Sequence, residues 1–222
     1  MDPLALERTR VRLGAKIQLK PLNFSHLSEA AEQWGLNQIA GILLDLGLST
    51  EQIDDPNRGF SWGANAPLDM RADPNLGVTA ADLVNGLGRK ELTKLFEVYG
   101  EEPKAMAIAK AIVVKRPFKT TGQLAESIAQ VKRQDRNHNP ATLVFQALRI
   151  AVNDELNNLK AALPQAVERL QPGGRLVVIS FHSLEDRIVK NFMKDNQDLK
   201  NITAKPIISV KPHAILRVAE RK

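Results

Sequence analysis

Two short polar stretches follow apolar runs that have the form of buried strands. The first, DLGLS at 45–49, follows the run 39–44, and the second, SFHS at 180–183, follows 175–179. Ligands of open parallel sheets bind at the carboxyl ends of the strands, so these positions are the first candidates for a site. There the carboxylate of Asp45 could accept a hydrogen bond from an amino group or offset a cationic ligand, or it could only cap a turn.

A long segment between the strands, residues 46–78, is rich in Gly, Pro, Asp and Asn. Loops of this length inside a compact domain are usually functional or disordered. This one places Arg58 close to Phe60 and Trp62, and it also contains Arg71. An aromatic ring beside an arginine suits a splayed-out base, because the ring stacks on the base and the cation binds its phosphate. The same rings could instead anchor the loop to its own domain.

Other chemistries have weaker support in the sequence. Four carboxylates of the loop could bind a hard cation, although they lack EF-hand spacing; they are Asp54, Asp55, Asp69 and Asp73. His182 and Glu185 have i, i+3 spacing, but without a nearby second histidine or any cysteine a zinc site is improbable. Phosphate-binding glycine motifs after a strand and the G-x-S-x-G elbow are missing. We expect no metal site, and a metal-dependent hydrolase is the remote alternative.

Composition limits the class of protein. The chain has 222 residues, 43% of them hydrophobic and 25% charged, which is enough to bury a core and argues against a disordered chain. It contains no cysteine, which excludes disulfides and thiol catalysis. No apolar run approaches the roughly 18 residues that would span a bilayer. We therefore expect a cytoplasmic protein without a membrane partner.

Charge is unevenly distributed along the chain. The formal net charge is +6, and the pI is about 9.6. Residues 1–73 carry 7 basic and 10 acidic side chains, whereas residues 74–222 carry 24 basic and 15 acidic ones. A polyanion such as RNA or DNA would favour the second part, although a solvated lysine-rich surface gives the same count.

Hydrophobic periodicity predicts an α/β fold. In the first part we expect a helix over 4–13, a strand over 16–20, a helix over 25–34 and a buried strand over 39–44. The alternation of helices and strands predicts a parallel sheet. Later strands are expected at 175–181 and 215–219, with a helix over 183–195 whose Ser183 and Asp186 have approximately the spacing of a capping box.

The middle of the chain has a different pattern. Four helices in succession are predicted, over 79–87, 89–99, 104–116 and 120–130, followed by a longer helix from about 140 to 163. We therefore expect an inserted helical subdomain, residues 75–140, within a body formed by residues 1–74 and 141–222.

Six strings of the sequence are specific enough to indicate a family. They are GILLDLGLS (41–49), DDPNRGFSW (54–62), PLDMR (67–71), YGEE (99–102), FQALRIAVNDEL (145–156) and PGGRLVVISFHSLEDRIVK (172–190). Together they resemble the MraW family, also called RsmH, over nearly the whole chain and in the family's order.

The resemblance implies a fold, a reaction and a cofactor. It implies a class I, Rossmann-like methyltransferase sheet with a helical insertion that helps to hold RNA. The reaction is methyl transfer from S-adenosylmethionine to the exocyclic N4 amine of a cytosine in the decoding region of small-subunit (16S) ribosomal RNA. By matching positions, Phe24, Asp45 and Gln52 correspond to family contacts to the methyl donor.

A mechanism follows from this resemblance. The cytosine amine is a poor nucleophile, so it must be held in line with the sulfonium methyl while a group accepts an N–H bond. We predict Asp45 as that acceptor. The flipped base is expected to lie against Phe60, Trp62 or Phe181. Further RNA contacts are assigned to Arg58, Arg71 and His182.

The chain also departs from the family pattern. Members usually begin with a strand and a G-x-G-G-H-S loop that cradles the donor, whereas the match here starts at Asp2-Pro3. We therefore expect an N-terminally truncated sheet. The alternative function is a catalytically impaired paralogue that acts as an RNA-binding protein. The oligomeric state is open, with a homodimer as one alternative.

Overall fold

The computed structural model describes residues 2–63, 65–132, 139–203, 205–209 and 214–222. The chain falls into two compact units, which are described separately. The sheet unit comprises residues 3–47 and 155–222, and the helical unit comprises Asp2 and residues 48–154. The helices of the described part are too short or too polar to span a bilayer.

Helices dominate the first two thirds of the chain. In chain order the elements are α1 (Pro3–Leu13), two 3-10 helices (Gly14–Lys16 and Phe24–His26), α2 (Leu27–Gln33), β1 (Ile39–Asp45), α3 (Thr50–Asp54), α4 (Ala80–Gly86), α5 (Arg89–Gly100), α6 (Ala105–Lys115) and α7 (Thr121–Val131). The remaining elements are α8 (Thr142–Asn153), α9 (Glu155–Arg169), β2 (Leu170–Ser180), α10 (Ser183–Asp195), β3 (Leu199–Asn201), β4 (Ile207–Ile208) and β5 (Ile215–Arg221).

Local signals explain where most helices begin and end. Pro3 is the first residue of α1, a position whose backbone N–H makes no hydrogen bond within the helix, so a proline costs nothing there. Gly14 follows the helix and has a φ of +58°. Thr79 forms a capping box at α4, and Thr120 forms one at α7. The helices predicted from periodicity over 4–13, 79–130 and 183–195 are confirmed, with end points that differ by a few residues.

The sheet is mixed. Its strand order is β1-β2-β5-β3, and β4 pairs with β5. Strands β1 and β2 are parallel, but β5 is antiparallel to β2, β3 and β4. The prediction of a parallel sheet is therefore correct for β1 and β2 and wrong for β5, which returns along β2 in the opposite direction. The result is a mixed α/β fold, consistent with the predicted Rossmann-like methyltransferase class.

The core of the sheet unit lies on one face of these strands. Leu44 of β1 and Leu176 and Val178 of β2 pack with apolar residues of α9 and α10. Leu43, which points to the other face, is 61% exposed. The expectation that strand 39–44 is buried on both faces is therefore wrong, because the core that α9 and α10 form lies on the face opposite Leu43.

Two further expectations are corrected. Residues 16–20 form no strand; Gly14–Lys16 is a 3-10 turn, and the segment after it has no ladder partner among the described residues. The long helix expected from 140 to 163 is two helices, since Asp154 adopts the left-handed conformation (φ 50°) between α8 and α9. Periodicity alone did not reveal this break, because the apolar pattern continues across it.

The helical unit has its own core, which includes part of the long loop. Phe60, Leu68 and Met70 are buried there against residues of α4 to α8. The unit is therefore wider than the predicted insertion of residues 75–140, of which 133–138 lie outside the described residues. Gly59 permits the close turn of the loop: its φ is +71°, and a Cβ there would lie 2.1 Å from the carbonyl oxygen of Pro67.

Candidate functional site

Asp45 lies at the carboxyl end of β1, where it is in register with Ile179 of the parallel strand β2. The next residue, Leu46, donates its backbone N–H to the carbonyl oxygen of Ile179 at 3.0 Å, so the strand end is fixed. The carboxylate itself is exposed, and no group of the described chain hydrogen-bonds or ion-pairs with it. Asp45 is thus a rigidly placed acceptor that is available to a ligand.

The end of β2 presents an aromatic ring beside this edge. Phe181 is 39% exposed, and a Cβ on Gly47 would lie 3.6 Å from its ring. The backbone N–H of Phe181 donates to Glu185 Oε2 at 2.8 Å. The loop after β2 is therefore held by a side chain from the first turn of α10.

His182 is the N-cap residue of α10, and Glu185 completes the capping box. The predicted pair, Ser183 and Asp186, is one residue too late, because the imidazole takes the place of the usual hydroxyl. Asp186 instead binds Arg217 through both carboxylate oxygens, at 2.6 and 2.9 Å. The His182 side chain is only 9% exposed, which does not favour the predicted contact with RNA.

Glu155 joins this cap in a cluster that the sequence did not reveal. Ligand atoms of Glu155, His182 and Glu185 lie within 4.8 Å of one another. However, His182 Nδ1 accepts the backbone N–H of Glu185 at 3.4 Å, which places the proton of the neutral ring on Nε2. A metal on Nε2 would require that proton to move to Nδ1 and would break the cap. The arrangement supports a capping role, and the absence of a metal site stays a prediction.

Phe24 lies in the 3-10 helix before α2 and is 38% exposed. Gln165 of α9 fixes this turn: its Nε2 donates to the carbonyl oxygen of Ser25 at 2.6 Å, and its Oε1 accepts the N–H of Ser28 at 2.9 Å. The ring of Phe24 is therefore presented from a braced turn. Sequence reasoning missed Gln165, since its two partners are about 140 residues away in the chain.

Gln52 belongs to the helical unit and is already engaged. Its Oε1 accepts the N–H of Ser49 in the capping box of α3, and its Nε2 donates to Asp2 at 2.8 Å. Arg58 binds the same Asp2 carboxylate at 2.8 Å, and its guanidinium is 15% exposed. The second N–H of the Gln52 amide has no partner among the described residues, whereas Arg58 is committed to contacts within its own unit.

The comparison with known proteins identifies the family. All 222 residues, 1–222, match the MraW methylase family. The chain belongs to the MraW methylase family. It is 53% identical over 201 residues to a protein of Thermomicrobium roseum and 52% identical over 198 residues to one of Dechloromonas aromatica. A Burkholderia pseudomallei protein is 46% identical over 201 residues. All three are named ribosomal RNA small subunit methyltransferase H.

Coverage differs between the two sides of these matches. Each match covers 87% of this chain but only 61% of the Thermomicrobium relative and 64% of the other two. The chain spans somewhat less than two thirds of the length of the curated relatives it matches. The family is therefore established, whereas the activity and substrate belong with the proposals below.

Of the aromatic rings predicted to contact RNA in this MraW family member, two are accessible. Trp62 is 43% exposed, and Phe181 is accessible at the end of β2. Phe60 is 8% exposed inside the core of the helical unit, so its ring cannot stack on a base without leaving that core. Phe60 therefore anchors the loop, which is the alternative that the sequence left open.

Arg71 is also committed within its own unit. Its guanidinium binds Asp69 with two nearly parallel bonds of 2.7 and 2.9 Å, and it donates to the carbonyl oxygens of Pro74 and Leu76. The hydrogen bond from Arg71 lowers the pKa of Asp69, and the same bond raises the pKa of Arg71. Arg71 thus closes the loop around its own carbonyl groups rather than presenting its charge to solvent.

Proposed function

We propose that this MraW family chain takes part in methyl transfer from S-adenosylmethionine to the N4 amine of a cytosine in small-subunit (16S) ribosomal RNA, in the decoding region. The observation that carries the proposal is Asp45, an exposed carboxylate at the carboxyl end of β1 that has no partner in the part of the chain that the structure describes. Ligands of α/β sheets bind at this edge. The names of the relatives support the RNA substrate, and the family supports the donor.

The donor would supply an electrophilic methyl group on a sulfonium. A new bond forms between the cytosine nitrogen and the methyl carbon while the sulfur–carbon bond breaks, and one amine proton must leave. Asp45 is placed to accept an N–H hydrogen bond as the nitrogen becomes pyramidal, and to take that proton or pass it to water. An acceptor fixed by the strand loses little energy to reorganisation during the reaction.

The remaining predicted contacts divide between donor and base. Phe24 would lie against the adenine of the donor, since its ring is partly exposed on a turn braced by Gln165. Gln52 would contribute the amide N–H that has no partner among the described residues. Either Trp62 or Phe181 would stack on the flipped cytosine. We also propose that residues 75–140 are an insertion in the methyltransferase body 1–74 and 141–222.

Two measurements test this proposal. Calorimetric titration of the chain with S-adenosylmethionine tests donor binding, and transfer of radiolabelled methyl groups to purified unmethylated small subunits tests activity. Asp45→Asn should lower the rate about 100-fold or more, because the amide is a poor proton acceptor. Its loss of donor affinity should be much smaller than this loss of rate, because the amide oxygen still accepts a hydrogen bond from the donor. Asp198→Asn, another exposed aspartate of the sheet unit, is the control and should retain full activity.

The outcomes separate the enzyme from its alternative. Loss of transfer in Asp45→Asn alone supports the proposed role of this carboxylate. Equal activity of Asp45→Asn and the parent chain contradicts it. If the parent chain binds small-subunit RNA but neither binds the donor nor transfers methyl groups, the proposal fails and the chain is an RNA-binding protein.

A further inference from the structure

A cavity of about 180 Å³ lies in the sheet unit between α10, β3 and β5, and Asp45 is not among its lining residues. Five of the six lining residues carry a polar or charged group, although most of the exposed lining surface is apolar carbon; the residues are Lys190, Met193, Lys194, Asn201, Thr203 and Arg217. None of them has a role in the methyl transfer proposed above. The cavity is therefore a separate feature of the surface.

Two of its three cations are not neutralised. Lys190 and Lys194 are four residues apart on α10, so both ammonium groups project from the same face. Both side chains are exposed, and no carboxylate of the described chain lies within 4.0 Å of either ammonium. Arg217, by contrast, is bound through two atoms to Asp186. The cavity thus carries a local excess of two positive charges.

Hydrogen-bond donors complete the lining. The side-chain amide of Asn201 is exposed on β3 and has no hydrogen-bond partner in the described parts of the chain. Thr203 is already used, because its hydroxyl accepts the backbone N–H of Val218 at 3.0 Å. The buried Met193, which is 3% exposed, adds the apolar part of the lining. Two ammonium groups and one amide of the described lining are therefore uncommitted donors for an anion.

We infer that this cavity binds a phosphate group of an RNA backbone. Lysine, asparagine and arginine side chains are the usual donors to nucleic-acid phosphates, and such contacts position an RNA without reading its bases. The position of Arg217 on β5 supports this role. Arg217 pairs with Val178, which lies two residues before the end of β2, and Phe181 follows that end. An RNA held here would extend from the same sheet that presents Asp45.

The inference deepens the proposed function, on which its choice of RNA as the partner rests. An acidic protein or an anionic membrane would also be attracted by two lysines. A single cavity with amide and ammonium donors favours a compact oxyanion over a flat charged surface. Free phosphate shares this chemistry with RNA, so the experiment must distinguish the two sources.

The test compares two double variants of the full chain. Lys190→Ala/Lys194→Ala removes the excess charge of the cavity. Lys160→Ala/Lys200→Ala removes two exposed lysines of the same unit, one from α9 and one from β3, neither of which lines the cavity. Binding of a short fluorescein-labelled single-stranded RNA is measured by anisotropy over a series of KCl concentrations. Circular dichroism verifies that both variants are folded.

We expect the cavity variant to bind RNA about tenfold or more weakly at low salt, because it lacks two charged hydrogen-bond donors to the phosphate. The slope of log affinity against log salt should fall by about 1. In the control variant, the changes in RNA affinity and in salt dependence should be less than half as large. Inorganic phosphate should compete with the RNA at millimolar concentration only, because a free ion makes none of the other backbone contacts.

Three results would overturn the inference. The first is equal RNA affinity for the cavity and control variants. The second is unchanged RNA binding together with lost binding to phosphatidylserine vesicles, which would make the cavity a membrane contact. The third is competition by inorganic phosphate at micromolar concentration, which would make it a site for the free ion. Titration of the parent chain with S-adenosylmethionine is a separate measurement. If the chain does not bind the donor, the proposed function is rejected. A loss of RNA affinity in the cavity variant would still support RNA binding by the cavity.

Discussion

At the scale of single residues, two aspartates differ in role because their surroundings differ. Asp69 is held by Arg71 through both carboxylate oxygens, which lowers its pKa and commits it to the loop. Asp45 has no such partner among the described residues and faces solvent at the strand end. An ion pair of this kind would compete with a substrate amine, so only the unpaired aspartate suits the acceptor role.

The lowered pKa of Asp69 predicts how acid affects the helical unit. Its carboxylate is favoured in the folded state, so its contribution is complete above the unfolded pKa of about 3.9 and is lost as the pH falls through the lower, folded value. Asp69→Asn should reduce stability at neutral pH and make the decrease in acid shallower. Denaturant unfolding between neutral pH and pH of about 2 measures this.

Asp54→Asn is the matched control for this experiment, because Asp54 is exposed on α3 of the same unit and has no described partner. It should retain the pH dependence of the parent chain. An Asp69→Asn variant whose stability declines in acid as steeply as the parent's would show that the pair with Arg71 does not couple folding to pH.

At the scale of elements, the turn that carries Phe24 depends on a helix far along the chain. Gln165 of α9 satisfies the carbonyl oxygen of Ser25 and the N–H of Ser28 at the start of α2. Arg169, one turn later, donates to Ser28 Oγ at 3.3 Å and is paired with Glu32. Two side chains of α9 therefore hold the Phe24 turn and α2 in place.

Gln165→Leu should destabilise the sheet unit by about 1–3 kcal/mol, since it leaves a backbone donor and acceptor without their partner. Hydrogen exchange at the amide of Ser28 should accelerate at the same time. Gln33→Leu is the control, because Gln33 is an exposed residue of α2 whose side chain binds Glu29 and no other described residue. Similar losses in both variants, or a protected Ser28 amide in Gln165→Leu, would contradict the brace.

At the scale of the whole molecule, each unit has its own hydrophobic core. The core of the helical unit contains the fully buried Phe96 and Leu148, and that of the sheet unit contains Leu163 and Leu176. The family match extends over both units. Core residues that contact neither donor nor RNA in the proposed function therefore determine whether each unit folds.

Leu148→Ala should lower the free energy of unfolding of the helical unit by about 2–5 kcal/mol, because it leaves a cavity in a packed core. Leu43→Ala removes the same atoms from a side chain that is 61% exposed and should change stability by less than about 0.5 kcal/mol. Chemical denaturation compares the two variants. A comparable loss in both would mean that Leu43 is covered in solution.

The sequence by itself predicted the family, the α/β class and most helix boundaries. Periodicity, caps and family strings are local features, and α4, α7 and α10 follow from them. The position of Asp45 at a strand end was also predicted, because a short apolar run that ends in a carboxylate is readable in one dimension. Its role in the reaction stays a proposal.

Only the tertiary structure decided which side chains remain free. Phe60 and Arg71 have the residue types of an RNA contact, yet one enters a core and the other binds Asp69. The direction of β5, the Gln165 brace and the basic cavity also depend on residues that are far apart in the chain. Local patterns specify what a residue can bind. Whether its side chain is accessible to a ligand depends on long-range packing, because the fold uses the same rings, charges and hydrogen-bonding groups for its own contacts.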